Sequence, residues 1–136
     1  MKNQKLIRVS DVMKPKVDMI DGKMTVQEAL KTMGHQETKT FLVDKRHDDD
    51  EYGIVLLSDI AKQVLAKDRP PERVNIYEIM TKPVLSVLPD MDIRYCARLF
   101  EQFGISRAPV IKAGKVLGIV SYTDMVMRGW LEDEAT

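Results

Sequence analysis

The sequence is poor in the features that mark secreted and membrane proteins. Of its 136 residues only one is a cysteine, Cys96, so no internal disulfide can form. No apolar run approaches the roughly 20 residues that a membrane-spanning helix needs. The first residues also turn charged again too soon to contain the apolar core of a signal peptide. These absences predict a cytoplasmic protein with no membrane partner.

The chain also lacks an excess of charge of either sign, since Lys plus Arg and Asp plus Glu each number 21. A balanced chain presents no broad basic field, so we do not expect nucleic acid as a partner. Catalytic motifs are missing as well: there is no paired His and nucleophile, no phosphate-cradling Gly-rich loop and no Cys/His cluster with metal-ligand spacing. We therefore predict no enzymatic activity, no required cofactor and no metal.

What the sequence does contain is an internal repeat. Residues 53–60 (GIVLLSDI) reappear as residues 118–125 (GIVSYTDM), and Met13 is matched by Met80. Units this short rarely bury their own apolar faces, so we expect the two copies to pack on each other. The predicted boundaries are 1–67 for the first repeat and 68–136 for the linker with the second repeat.

Each copy is predicted to run as turn, strand, helix, strand, strand and helix, which gives an α+β fold. Thr25 and Glu28 form a capping box before a helix in the first copy, and Asp92 caps the corresponding helix in the second. The apolar spacing predicts buried helical faces, whose residues are Val26, Ala29, Leu30 and Met33 in the first copy and Ile93, Cys96, Ala97 and Phe100 in the second.

The remaining connections are predicted from turn chemistry and charge. Residues 112–115 (KAGK) are typical of a tight hairpin turn, whereas the acidic residues 47–51 (HDDDE) predict an exposed, solvated hairpin tip. Two helices close the repeats, with apolar faces that include Ile60, Val64 and Leu65, and Met125 and Val126.

The strongest chemical motif is residues 118–124, a strand that ends in a hydroxyl residue and a carboxylate at a helix start. The two oxygens of Asp124 can accept both hydroxyls of a ribose, and Ser121 with the free amides of the helix can hold a phosphate. A plain helix N-cap also explains Thr123, Asp124, Ser58 and Asp59. Spacing alone favours the cap, since short motifs match often by chance.

Together these blocks resemble a tandem pair of cystathionine-β-synthase (CBS) domains, the arrangement called a Bateman module. The resemblance is carried by residues 76–80 (IYEIM), 84–87 (VLSV), 104–110 (GISRAPV) and 118–124 (GIVSYTD), in that order. It implies two pseudo-twofold-related repeats, each a small three-stranded sheet packed with helices. It further implies a regulatory module that binds AMP, ADP, ATP or S-adenosylmethionine in a cleft between the copies, forms a homodimer and acts on an unidentified effector protein.

The resemblance also assigns roles to individual positions. The implied contacts are Asp124, Ser121 and Thr123 for the ribose, Arg107 before Ala108 and Pro109 for a phosphate, and Leu85, Ser86 and Val87 for the adenine. In the first copy Leu56, Thr40 and Leu42 replace Ser121, Arg107 and Pro109, whereas Ser58 and Asp59 remain. We therefore expect one competent site in the second copy and a weaker one at Asp59, with Arg69, Arg73 and Lys82 as further candidate phosphate contacts.

Two other functions stay open. The degenerate first copy favours a ligand-free module for protein interaction or dimerisation. The absence of an effector domain fits a regulatory subunit for a separate enzyme or transporter. A regulatory fragment of a larger protein is less favoured, because the chain starts at Met1 and ends in a short polar tail.

Overall fold

The computed structural model describes residues 6–131. In chain order the regular elements are α1 (Val9–Val12), β1 (Asp18–Ile20), α2 (Val26–Thr32), β2 (Thr40–Val43), β3 (Gly53–Leu56), α3 (Leu57–Ile60) with a π-helical continuation (Ala61–Leu65), α4 (Ile93–Phe103), β4 (Arg107–Lys112), β5 (Lys115–Ser121) and the π-helix α5 (Asp124–Leu131). Short 3-10 turns cover Gln36–Thr38, Pro71–Arg73 and Ile76–Glu78. The mixture of helices and small sheets confirms the predicted α+β fold class.

Contacts divide the chain into two units. The central unit covers Val17–Val84, and the terminal unit joins residues 6–16 with residues 85–131. The units cut across the sequence repeats, because the 3-10 turn that opens the second repeat belongs to the central unit and α1, its counterpart in the first, belongs to the terminal unit. Repeat boundaries at 1–67 and 68–136 stay a prediction of the sequence.

The central unit is built on a three-stranded sheet in the order β1-β2-β3. β1 lies parallel to β2, with Ile20 opposite Val43, and β3 lies antiparallel to β2, with Leu56 opposite Thr40. Parallel neighbours cannot be joined by a tight turn, so α2 supplies the crossover. As a result the start of β2 and the end of β3 share one end of the sheet, and the ends of β1 and β2 share the other.

The core of the central unit forms around the middle strand, β2, whose four residues are all buried. Its buried cluster consists of Ile20, Val26, Ala29, Phe41, Val43, Val55, Val64, Val74 and Ile76. Each large apolar side chain removed from water contributes roughly 1.5–3 kcal/mol. This cluster therefore packs α2 against the three-stranded sheet.

Helix α2 begins at the predicted capping box. Thr25 Oγ1 accepts a hydrogen bond from the Glu28 amide at 3.1 Å, and a Glu28 carboxylate oxygen accepts one from the Thr25 amide at 3.0 Å. The bond from the Thr25 backbone lowers the pKa of the Glu28 carboxyl. Val26 and Ala29 are buried, but Leu30 is exposed, so the apolar face is narrower than predicted.

The terminal unit is built on the antiparallel hairpin of β4 and β5. Lys112 lies opposite Lys115, and the two residues between them, Ala113 and Gly114, have φ angles of 52° and 77°. Positive φ at both positions is the geometry that two-residue hairpin loops favour, so the predicted turn is confirmed. The resemblance implies a three-stranded sheet in each repeat, but this sheet has two strands, and only Val87 joins it, through an isolated parallel bridge to Val110.

Helix α4 packs on this hairpin. Its predicted cap is confirmed, because the Asp92 carboxylate accepts a hydrogen bond from the Arg94 amide at 2.9 Å. The helix ends at Gly104 in the left-handed conformation, with φ of 65°. The buried cluster of this unit is Ile7, Val9, Val12, Val87, Ile93, Cys96, Phe100, Ala108, Val110, Val120 and Met125.

The two closing helices, α3 with its continuation and α5, do not bury all of the residues that the sequence predicted. Val64 and Met125 are buried as expected, but Leu65 is 77% exposed and Val126 is also exposed. Both residues lie in π-helical segments, where hydrogen bonds span five residues. The wider turn shifts the buried face away from the positions that a 3.6-residue period predicts.

The acidic loop departs from prediction at one residue. Asp48 and Asp49 are exposed, but the Asp50 side chain is only 7% exposed, because its carboxylate accepts hydrogen bonds from Arg46 Nε at 2.9 Å and Lys82 Nζ at 2.8 Å. The Arg46 bond, with that of Lys82, holds the pKa of Asp50 well below its usual range. The prediction of a fully solvated tip is wrong at Asp50, because the sequence does not show that the distant Lys82 pairs with it.

Within residues 6–131 no helix is both long and apolar enough to cross a membrane.

Candidate functional site

Ser121 and Asp124 are joined by reciprocal hydrogen bonds where β5 ends and α5 begins. The Ser121 amide and hydroxyl each donate to Asp124 Oδ2 at 3.0 Å, and the Asp124 amide donates to Ser121 Oγ at 3.2 Å. This is the geometry of a capping box, with Ser121 in the capping position and the exposed Thr123 outside it. The box holds the Asp124 carboxylate in one orientation.

The other oxygen of this carboxylate, Asp124 Oδ1, accepts a hydrogen bond from Lys14 Nζ. Asp124 is 2% exposed, whereas the Lys14 side chain is 28% exposed. An ionised carboxylate is costly to bury unless it is paired and hydrogen-bonded, and Lys14 and Ser121 together meet that requirement. Because Asp124 is almost fully buried, a ribose hydroxyl can reach Oδ1 only after the groups that cover it, Lys14 among them, move aside.

The position of Lys14 is fixed through its backbone. Its amide donates to the Ile119 carbonyl at 2.8 Å, and the Ile119 amide donates to the Lys14 carbonyl at 2.9 Å. Gly118 permits this approach, because a Cβ there would lie 2.5 Å from the Lys14 carbonyl oxygen. The segment before β1 therefore lies against β5 and delivers an ammonium group to Asp124.

Arg107 lies at the same end of the hairpin, directly opposite Ser121 in the register of β4 and β5. Its side chain is half-buried. Burial lowers the pKa of its guanidinium, while the nearby charge of Asp124 raises it. The predicted phosphate contact thus lies within electrostatic reach of the predicted ribose contact.

The other predicted ligand contacts differ in solvent exposure, and so in the surface that they offer to a ligand. Ala108, Pro109 and Val87 are buried, Leu85 is half-buried, and Ser86 is exposed. The Val87 amide donates to the Pro109 carbonyl at 3.1 Å, so these buried residues pack together. Among the predicted adenine contacts, Leu85 and Ser86 keep surface on which a ligand can pack.

The equivalent position in the central unit is simpler. The half-buried Asp59 accepts a hydrogen bond from the Leu56 amide at 2.8 Å, and Ser58 is exposed. Thr81 takes the place of Lys14: its amide donates to the Ile54 carbonyl at 2.9 Å, and the Ile54 amide donates to its carbonyl at 3.0 Å. The backbone arrangement is repeated, but no cation bonds to Asp59 among the described residues.

Lys14 is the site residue that the sequence analysis missed. Its signal was present, because Lys14 follows Met13 as Thr81 follows Met80, and only one of the two carries a charge. Of the linker cations proposed for phosphate, Lys82 is paired with Asp50, and Arg69 donates to Glu78 at 2.9 Å. Neither lies in the same unit as Asp124.

A separate cavity of about 600 Å³ lies in the central unit, at the carboxyl ends of β1 and β2. Gly22, Tyr77 and Met80 line it together with basic side chains that include Lys45 and Lys82. Asp59 follows the end of β3 and so lies at the opposite end of the sheet. The part of the chain that the structure describes contains no cluster of His, Cys, Asp and Glu able to hold a metal ion.

The chain is similar to proteins from both archaea and cyanobacteria. It is 30% identical over 113 residues to the uncharacterized protein MK0525 of Methanopyrus kandleri; the match covers 80% of this chain and 57% of the relative. Among solved structures, a hexameric CBS-CP12 protein from bloom-forming cyanobacteria superimposes with a TM-score of 0.88 at 36% identity, covering 96% of this chain and 76% of that one.

A further solved structure is the CBS domain pair of protein MJ0100 in complex with 5'-methylthioadenosine and S-adenosyl-L-methionine. It superimposes with a TM-score of 0.74 at 25% identity, and the match covers 89% of this chain and 98% of that one. The family model for the CBS domain matches residues 9–66 and 76–129. Two matched repeats that span most of the sequence, on a fold shared with known CBS pairs, show that the chain belongs to the CBS domain family as a tandem pair.

Proposed function

We propose that this chain is a regulatory module that binds an adenosine-containing ligand at Asp124 and has no catalytic activity. The observation that carries the proposal is the convergence of Asp124, Ser121 and Arg107 at one end of β4 and β5. A carboxylate acceptor for ribose and a cation for phosphate are the groups that such a ligand needs. The adenosyl ligands of the MJ0100 pair support this choice of ligand class.

Binding requires a rearrangement at Asp124. A ribose hydroxyl takes the place of Lys14 at Oδ1, while Ser121 keeps Oδ2 in its present orientation. Because Lys14 belongs to the segment that lies against β5, ligand binding disturbs that segment. A ligand shifts an equilibrium between two arrangements only by its differential affinity for them, and the Lys14 contact supplies such a difference.

The output of the module passes to another protein. We propose a separate effector protein, which the sequence does not identify, a cytoplasmic location and assembly as a homodimer; a regulatory subunit for a separate enzyme or transporter is the alternative. The hexameric state of the cyanobacterial CBS-CP12 protein supports oligomerisation in general.

The proposal is tested by thermal shift with AMP, ADP, ATP, S-adenosylmethionine, GTP and adenosine. A ligand at a hundred times its dissociation constant adds roughly 2.7 kcal/mol, which raises the melting temperature by a few degrees. Asp124→Asn keeps the size of the side chain and removes its charge, so it is expected to lose the shift. Asp59→Asn is the matched control in the central unit. If no adenine ligand shifts the wild type, the proposal is wrong.

A ligand-free dimerisation module is the second candidate, favoured by two observations. Asp124 is already hydrogen-bonded through both oxygens, as a purely structural residue would be. Large apolar side chains are also exposed on α4 and α5, namely Tyr95, Phe103, Met127 and Trp130. Such residues are enriched at interfaces when they cluster.

Sedimentation equilibrium tests this second candidate. If a second copy covers α4 and α5, Trp130→Glu should shift the equilibrium toward the monomer. Tyr77→Glu, at an exposed aromatic residue of the central unit, is the matched control and should leave the dimer intact. Equal effects of both changes would argue against an interface on these helices.

A further inference from the structure

The Asp124 carboxylate lies among several positive charges. Lys14 bonds to it directly, Arg107 lies opposite Ser121 in the strand register, and Arg128 donates to the Met13 carbonyl at 3.1 Å, next to Lys14. Asp124 is the one acidic group in hydrogen-bond contact with Lys14 among the described residues. We call Lys14, Arg107, Ser121 and Asp124 the Asp124 half-site. Among the described residues, its two cations outnumber its one carboxylate.

The Lys14 ammonium is held in place by the backbone and by burial, unlike the charge of an exposed surface lysine. Two backbone hydrogen bonds to Ile119 hold Lys14 in register with β5, and Gly118 provides the space for them. The Lys14 side chain is mostly covered, with its ammonium at a carboxylate that is itself almost fully buried. Charges in such surroundings are screened less by salt than those on an open surface.

The corresponding Asp59 half-site of the central unit lacks the counterparts of both cations. Thr81 stands where Lys14 stands, with the same pair of backbone hydrogen bonds. Thr40, buried and opposite Leu56, stands where Arg107 stands opposite Ser121. Asp59 therefore has no basic side chain as a hydrogen-bond partner among the described residues.

We propose that Lys14 makes the Asp124 half-site selective for adenosine ligands that carry phosphate, against neutral adenosine and the sulfonium ligand S-adenosylmethionine. The inference rests on the proposed binding of adenosine at Asp124. A phosphate next to the ribose accepts the Lys14 ammonium, so the ammonium exchanges one anionic partner for another as Oδ1 is released to the ribose. A neutral ligand displaces Lys14 without offering a new partner, and a sulfonium ligand adds repulsion from Lys14 and Arg107.

The test is isothermal titration of AMP, adenosine and S-adenosylmethionine into the full chain carrying Asp59→Asn, so that Asp124 alone offers a ribose acceptor. In this background AMP is expected to bind at least about tenfold more tightly than adenosine, the usual value of a charge-assisted hydrogen bond. Lys14→Thr introduces the residue of the central unit. It should reduce the ratio of AMP affinity to adenosine affinity by about tenfold and strengthen the binding of S-adenosylmethionine.

Two controls separate the role of the charge from an effect on folding. Lys14→Arg keeps a cation and should preserve the ratio, and Lys16→Thr removes an exposed lysine two residues away and should also preserve it. Salt supplies a second readout that needs no change at residue 14: because the Lys14 ammonium is mostly covered, added NaCl should reduce the preference for AMP over adenosine only slightly.

The outcomes also separate this inference from the proposed function. If AMP and adenosine bind and Lys14→Thr leaves their ratio unchanged, the selectivity inference is wrong while adenosine binding at Asp124 stands. If adenosine binds as tightly as AMP at every salt concentration, the inference is wrong again. If none of the three ligands binds, both the proposed function and the inference are wrong.

Discussion

Gly118 and Lys14 approach each other so closely that a Cβ on Gly118 would lie 2.5 Å from the Lys14 carbonyl oxygen. The glycine of the repeated motif therefore serves neither a turn nor a positive φ angle. It makes room for the segment that brings Lys14 to Asp124, and this contact links the repeated motif to a residue more than a hundred positions away in the sequence.

Gly118→Ala should destabilise the protein by about 1–3 kcal/mol, the range for overpacking against backbone that cannot move aside. Urea unfolding measures the loss. Gly53→Ala is the matched change in the central unit, where the nearest atom is the flexible Met80 Sδ at 3.0 Å, so its effect should be smaller. Equal losses at the two glycines would contradict this account.

Ser121→Ala should cost about 1 kcal/mol of stability, as the loss of a helix cap usually does. The change removes the acceptor of the Asp124 amide and one donor to the Asp124 carboxylate. Ser58→Ala, at an exposed serine two residues past the equivalent position in the central unit, is the control and should be nearly neutral. A neutral Ser121→Ala would mean that the capping box contributes little.

Cys96 should make stability fall in alkaline solution. Burial raises the pKa of its thiol to about 11, whereas the unfolded chain releases this proton near pH 8.5. Between these values the unfolded chain binds fewer protons than the folded one, so the free energy of unfolding decreases as pH rises.

Cys96→Ala isolates this effect, because Ala29 occupies the equivalent buried position in the first repeat. Denaturant unfolding between pH 8 and pH 11 should show the wild type losing stability relative to the variant. A difference that does not change with pH would contradict the prediction. The native thiol should also resist alkylation at pH 7 until the chain unfolds.

Asp50 should contribute to stability at neutral pH and lose that contribution in acid. Hydrogen bonds from Arg46 and Lys82 lower its pKa in the folded chain, while an unfolded Asp titrates near pH 3.9. The contribution is therefore complete above about pH 4 and disappears as pH falls through the folded value. Asp50→Asn should be less stable than the wild type at pH 7, with a difference that shrinks below pH 4.

Asp49→Asn provides the control for Asp50, since Asp49 is an exposed neighbour in the same loop. It should leave the free energy of unfolding unchanged at pH 7. The prediction about Asp50 is wrong if the two variants have the same stability across this pH range.

Local patterns predicted much of the fold. The capping box at Thr25, the cap at Asp92 and the hairpin turn at Gly114 each depend on residues within a few positions of one another. Burial was less predictable where the helix geometry changed, as Leu65 and Val126 in π-helical segments illustrate. A period of 3.6 residues was assumed there, and the backbone adopts a wider turn.

The candidate site was predictable in part. Arg107, Ser121 and Asp124 do lie together, because the antiparallel register places residues 107 and 121 opposite each other. The sequence could not show that Asp124 is buried or that one of its oxygens is occupied. Val87, Ala108 and Pro109 are likewise more enclosed than contact residues for an adenine would be.

The sequence by itself determined the duplication, the α+β order of elements, the caps and the motif that ends in Asp124, because these follow from composition and short-range spacing. Only the tertiary structure decided which charges meet. Lys14 and Asp124 are separated by 110 positions, and Asp50 and Lys82 by 32. Such pairs form only after strands from distant parts of the chain have taken their register, and no local pattern of residues specifies that register.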